Sequence, residues 1–297
     1  MTPFRFFLDW EVNCQFAGLL RAREDGLFAR AGLAVDLVPP SACPGAGVLE
    51  LVRQGGLCAG CMEDNLIVRA VLAGGDVRAI GATMQDSPMV LMTAREGGIA
   101  DLAGLAGRRV AMHADGIHLL RTVLALHAID ASTIAFQVGG WTLDQLIDGS
   151  FDAVQGYTTT EPHNLKRLGF ATRLVPVRHH RMHPWAQMMF ATNSVIRERP
   201  EILSAFVTAC RDGWIAAMTD LPGTARLVAA HSREHDDPAE NRVILQSMVP
   251  LIAGDRGLEH AVSMDPGRWC RNLETYARSG IVDRLAAYDQ VVCDAFM

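Results

Sequence analysis

The chain has 297 residues, 49% of them hydrophobic and 20% charged, with a formal net charge of −6. That length exceeds what one simple core needs, so two lobes are expected. The negative balance argues against a nucleic-acid partner, and no apolar run approaches the ~20 residues of a membrane-spanning helix. Arginine supplies nearly all the positive charge, Lys166 being the single lysine. The cysteines, at positions 14, 43, 58, 61, 210, 270 and 293, are odd in number and scattered. Reduced thiols are expected, not a disulfide framework. The opening MTPFRFFLDW lacks the basic leader, long apolar run and small-residue cleavage site of a secretion signal. As it stands the sequence reads as cytoplasmic, or as periplasmic if a leader was removed.

Phe4 to Leu8 is a short apolar run that suits a buried strand. Asp9 to Cys14 is a polar turn, and Phe16, Leu19 and Leu20 follow at helical spacing. Gly26 and Gly32 punctuate the helix end before a second strand, Ala34 to Val38. The loop PPSACPGAG leads to a helix at Val48 to Gln54, a strand at Leu57 to Gly60 and a helix at Glu63 to Ala73. Val77 to Thr83 and Met89 to Thr93 read as strands, and the repeated βα pattern implies parallel pairing. After a short helix within Ile99 to Arg109 comes a further strand. A helix from Asp115 to about Ala128 precedes a strand at Ile134 to Val138, a helix at Leu143 to Ile147 and a strand at Phe151 to Tyr157. Thr160 to Leu168 reads as a helix, Arg173 to Val177 as a strand, and Met188 to Thr192 as the crossing back to the first lobe. Helices are expected at Pro200 to Thr219, Pro222 to His231, Pro238 to Ile252, Pro266 to Arg278 and Leu285 to Phe296. Proline in a first turn costs no hydrogen bond.

Ligands of open α/β sheets sit beyond the carboxyl ends of the strands. Asp9, Trp10, Asn13 and Cys14 occupy such a place: a tryptophan to stack a flat ring, polar groups to bond its edge. A capped helix start with a packed tryptophan is the plainer reading. Cys14 at a helix start is also a candidate nucleophile or an ordinary pocket wall. Glu63 and Asp64 open a helix, as caps or as acceptors for ligand amines. His113, Asp115 and Gly116 form a strand-to-helix turn suited to an anion. Tyr157 through Glu161 end a strand with an aromatic ring, three threonines and a carboxylate. Cys58 and Cys61 form a lone CxxC, read as structural. His179, His180 and His183 are a weak metal alternative, more naturally exposed histidines near a hinge.

The opening LDW…AGL…DGLFARAGLAVDL resembles that of the type II periplasmic-binding-fold proteins that bind sulfonates, nitrate and thiamine-pyrimidine precursors, a family that also holds the fungal-type thiamine pyrimidine synthase. Further phrases resemble it in order: the GGLCAGCMEDNLIVRAVLAGGDVRAIGATMQDSPMVLM segment, Leu105 to Val110, FDAVQGYTTTEPHNLKRLG and PGRWCRNLETYARSGIVD. The resemblance implies an α/β fold of two lobes with mixed sheets and a helical C-terminal segment. Lobe one would be residues 1–94 plus 190–297 and lobe two 95–189, with the ligand cleft between them. It implies a small planar, nitrogen-rich or anionic ligand, best a thiamine-pyrimidine precursor, bound without cofactor, and an ABC permease as partner. Ligand contacts are expected from Asp9, Trp10, Asn13, Cys14, Glu63, Asp64, Ser87, His113, Tyr157 and Glu161. The synthase would need a lysine for pyridoxal phosphate and a substrate histidine where this chain has Cys61-Met-Glu-Asp-Asn-Leu, which has neither. A sulfinate-cleaving enzyme of similar fold carries an Asn-Cys resembling Asn13-Cys14. A cytoplasmic enzyme using Cys14, such as a desulfinase, is therefore the alternative.

Overall fold

The computed structural model describes residues 1–179 and 181–296. The chain forms two compact units: Met1–Ser87, Pro184–Trp269 and Ala286–Met297 make the first, and Pro88–His183 with Cys270–Leu285 the second. In chain order the first unit contributes β1 (Thr2–Phe7), α1 (Ala17–Glu24), α2 (Leu27–Arg30), β2 (Leu33–Val38), α3 (Val48–Arg53), β3 (Cys58–Met62), α4 (Asp64–Leu72) and β4 (Val77–Met84). The second follows with β5 (Met89–Ala94), β6 (Arg109–Met112), α5 (Ala114–Leu126), β7 (Ala135–Val138), α6 (Asp144–Ile147), β8 (Ala153–Tyr157), α7 (Glu161–Arg167) and β9 (Thr172–Pro176). The chain then returns with β10 (Ala186–Thr192), α8 (Asn193–Glu198), α9 (Pro200–Thr219), α10 (Leu221–His231), α11 (Pro238–Ala253), α12 (Pro266–Arg278) and α13 (Tyr288–Val291).

Each unit is built on a mixed five-stranded sheet. In the first the order is β2-β1-β3-β10-β4, with β1 parallel to β2 and β3, and β10 antiparallel to β3 and β4. In the second the order is β7-β6-β8-β5-β9, with β6 parallel to β7 and β8 while β5 runs antiparallel to β8 and β9. No helix among the described residues is long and apolar enough to cross a membrane.

β1 buries Phe4, Phe6 and Phe7, all at most 2% exposed, while Arg5 between them is exposed and lies over the Phe7 ring. Phe206 of α9 joins three elements, its ring centroid 4.5 Å from Phe4, 5.2 Å from Phe6 and 5.6 Å from Phe28. α9 also lies close against α1. A β-carbon at Gly18 would come within 2.3 Å of the Trp214 ring, so only hydrogen fits there. The second unit has its own core of Val90, Met92, Ala111, Leu146, Val154 and Leu165.

Arg268 fastens the chain segments by which the first unit is left and re-entered. Its guanidinium lies 4.1 Å over the Trp185 ring and donates to the carbonyls of Gln85 and of Pro184, the latter at 2.9 Å. The Ser87 amide donates to the same Pro184 oxygen at 3.1 Å.

The helix expected over Leu285 to Phe296 is reduced to the short α13. Val292 turns extended and bridges Ala79, and the Cys293 amide donates to the Ala79 carbonyl at 2.9 Å. The open edge of β4 thus captures the chain end, which supplies backbone partners that an isolated helix would compete for. α8 was not foreseen. It is short, and its signal is the Thr192 hydroxyl accepting the Val195 amide.

The Gly18 contact generates a prediction. Gly18→Ala is expected to lower unfolding stability by roughly 1–3 kcal/mol through overpacking against Trp214. Gly47→Ala, where a β-carbon meets nothing within 4 Å, is expected to leave it nearly unchanged. Urea denaturation of both variants checks this.

Candidate functional site

In the first unit the chain leaves β1 for β2 on one side and later returns to β3 on the other. The carboxyl ends of β1 and β3 therefore flank the switch point at which such sheets bind ligands. β1 ends into Asp9 and Trp10, β3 ends into Glu63, and antiparallel β10 begins at the same edge, Met188 pairing with Met62. Trp10 is 50% exposed. Glu11 pins the loop, its carboxylate accepting the Ser41 amide at 2.8 Å and the Ser41 hydroxyl at 2.9 Å.

The Asp9 carboxylate is held by two donors on Oδ1: the Cys61 thiol at 3.3 Å and the Gln187 side-chain amide at 3.3 Å. The same Gln187 nitrogen donates to Gln15 Oε1 at 2.8 Å. Burial, together with the charges of Asp9 and Glu63, pushes the Cys61 thiol well above its ordinary value. It therefore stays protonated, as a donor must. Gln187 is buried and holds a left-handed backbone, φ +52°. For a non-glycine residue that costs about 1–3 kcal/mol. A hydrogen bond to a charged group contributes a similar ~1.5–3 kcal/mol, so the bond to Asp9 offsets the strain. Neither Gln15, Cys61 nor Gln187 was selected from sequence. A glutamine in an apolar strand beside Met188 and Met189 was the available signal.

Other expected contacts have inward roles. Asn13 is buried and its side chain accepts the Gln15 amide at 2.7 Å, a cap on the turn that follows. That cap sends Cys14 into the core, where its thiol faces Asn241 of α11, 3.5 Å from Oδ1 and 3.7 Å from the backbone oxygen. Burial first, then the charge of Glu240, pushes the thiol up to about 12. The buried Cys14 thiol therefore packs against α11, and its reading as a nucleophile or ligand contact is what the alkylation experiment below addresses. Asp64 is 1% exposed and accepts the Trp185 amide at 3.2 Å, a brace between α4 and the start of β10.

The second unit repeats the arrangement with different chemistry. β6 ends at His113, whose amide donates to Gln155 Oε1 at 3.0 Å. Gln155 comes so close that a β-carbon at Gly116 would meet its oxygen at 2.2 Å. Trp141, beyond the end of β7, places its ring 5.8 Å from that of His113. β8 ends at Tyr157, whose amide donates to Glu161 Oε2 at 2.8 Å. Burial raises the Glu161 carboxyl above its ordinary value, and the Tyr157 amide and its own amide pull it down. Thr160 precedes α7 without capping it through its side chain.

His179 is buried, contrary to an exposed position: its Nδ1 accepts the Arg181 amide at 3.1 Å, and its ring stands edge-on to His127 at 4.6 Å. The His183 amide donates to Asn272 at 3.1 Å. His180 lies outside the described residues. Among the described residues no group of three histidine, cysteine or acidic side chains could hold a metal.

The model of the family described as NMT1/THI5 like matches residues 13–224. No curated protein gives a significant match. Among solved structures, a Candida albicans protein described as exhibiting the generic periplasmic binding protein structural fold is similar over 99% of this chain and 96% of its own, at 11% identity and a TM-score of 0.73. A putative periplasmic sulfonate-binding protein of a sulfonate ABC transporter from Methylobacillus flagellatus aligns over 99% and 92%, at 14% identity and 0.69. The desulfurization enzyme DszB aligns over 100% and 97%, at 15% identity and 0.67. At such identities the likeness establishes the fold, which is the two-lobed periplasmic-binding type.

Two outcomes follow from the titrating groups. With its thiol near 12, Cys14 in the folded protein is expected to resist iodoacetamide at pH ~8, where roughly one molecule in ten thousand is thiolate. Exposed Cys270 reacts. Peptide mass mapping after alkylation distinguishes them. For Glu161, a carboxyl raised on folding adds stability below its ordinary value of 4.5, and that stability is lost as pH rises through the folded value. Wild type is therefore expected to lose stability relative to Glu161→Gln across that window and to run parallel to it above, as thermal melts against pH would show.

Proposed function

The chain belongs to the NMT1/THI5-like family, and on that premise we propose that it is the solute-binding component of an ABC-type uptake system, with a small planar, amine-bearing metabolite as ligand. A thiamine-pyrimidine precursor is the favoured member of that class, and a membrane permease is the partner. The observation that carries this reading is that Asp9 follows β1 and Glu63 follows β3, neighbouring parallel strands whose carboxyl ends flank the switch point of the first sheet. Trp10 stands half exposed beside Asp9. Carboxylates accept amino hydrogens, and an open indole face stacks a flat ring.

The same chemistry separates amines from sulfonates. A sulfonate is always anionic, and a like charge at ~4 Å costs about 4 kcal/mol at the effective dielectric of a protein surface. An aminopyrimidine turns that cost into charge-assisted hydrogen bonds of ~1.5–3 kcal/mol each. Lys166 is exposed on α7, so Schiff-base chemistry has no part in it.

Isothermal titration with the hydroxymethyl aminopyrimidine of thiamine and with a short alkanesulfonate tests the proposal. The aminopyrimidine is expected to bind and the sulfonate to fail. Glu63→Gln should weaken the aminopyrimidine about tenfold or more, equivalent to ~1.4 kcal/mol. Binding of the sulfonate alone, unaffected by Glu63→Gln, overturns it.

A further inference from the structure

Gln187 has a conformation that neither the ladder nor the core explains. In the pairing of β10 with β4, Ala186 faces Met84 and Met188 faces Ala82, so the register runs unbroken across Gln187, and the bulge of this pair comes later, between Met189 and Phe190. The left-handed backbone of Gln187, φ +52°, is thus no part of that bulge, and its side chain reaches the turn beyond β1. There one amide nitrogen serves two acceptors, Asp9 Oδ1 at 3.3 Å and Gln15 Oε1 at 2.8 Å. An apolar side chain would fill a 2% exposed position at no polar cost. Cys61 approaches the same Asp9 oxygen at 3.3 Å from β3. Two donors from two neighbouring strands thus fix one carboxylate that follows a third.

We propose that Gln187 is the specificity-determining residue of this site: by fixing the orientation of the Asp9 carboxylate, it makes the site select ligands that offer an amino hydrogen. The inference rests on the amine-binding reading above. Gln187 acts through Asp9 as a positioning residue, with Cys61 as its support. Without the amide, Asp9 Oδ1 loses one of the donors that set its direction and accepts less well from that direction.

The test is the ratio of two affinities, for the hydroxymethyl aminopyrimidine of thiamine and for the same molecule with hydrogen in place of the amino group. In Gln187→Gly, glycine keeps the left-handed backbone without strain, which offsets part of what the lost side chain contributed, and a thermal melt run alongside confirms that the variant is folded. The preference for the amino compound is expected to fall at least fivefold. Gln187→Asn, which tolerates this backbone and keeps a shorter amide, is expected to restore part of it. A merely structural role would weaken both ligands equally, and an unchanged ratio in Gln187→Gly overturns the inference while leaving the amine-binding reading in place. Failure of the wild-type protein to bind either compound overturns that reading, and the inference with it.

Discussion

The placement of β1 between β2 and β3 governs the polar chemistry of the first unit. The phenylalanines of β1 are taken up by the core, and the polar groups nearest the switch point follow where the strand ends. The chain departs from β1 to one side and comes back to β3 on the other, the switch point of such sheets, with Asp9 following β1 and Glu63 following β3. The antiparallel entry of β10 at the same edge brings Gln187 to Asp9.

An acidic group at such a place needs donors to hold its direction. In the first unit this falls to donors from neighbouring strands: the Cys61 thiol, which burial keeps protonated, and the Gln187 amide on a strained backbone. In the second unit the corresponding carboxylate, Glu161, is instead satisfied by the amide of Tyr157 at the end of its own strand. The strand ends of the two sheets are therefore not equivalent. The first presents an Asp9 carboxylate braced by donors from β3 and β10, the second an aromatic ring and threonines over a carboxylate satisfied within its own strand end.

Much of the fold was legible because its signals are local. Apolar runs bounded by turns marked β1 to β4, and prolines at first-turn positions marked α9 to α12. Asp9 and Glu63 were legible as site candidates because a strand end is visible in sequence. What stayed hidden depends on contacts between distant residues. Cys14 reads as a poised thiol until α11, more than two hundred residues on, presents Asn241 to it. Cys61 reads as half of an idle CxxC until Asp9 is brought to it by strand pairing. Gln187 leaves no trace in any hydrophobic period, since its role comes from a backbone angle. The final helix failed for a similar reason: an open strand edge offers the chain end a competing set of backbone partners.

The central claim is that braced carboxylates select an amine-bearing planar ligand. The most direct measurement is native mass spectrometry of the protein purified from its own cells, followed by release and identification of what it carries. The account predicts a small aromatic heterocycle with at least one amino group, at one per chain. A sulfonate, a nitrate or another anion without donor hydrogens, at that stoichiometry, would contradict it.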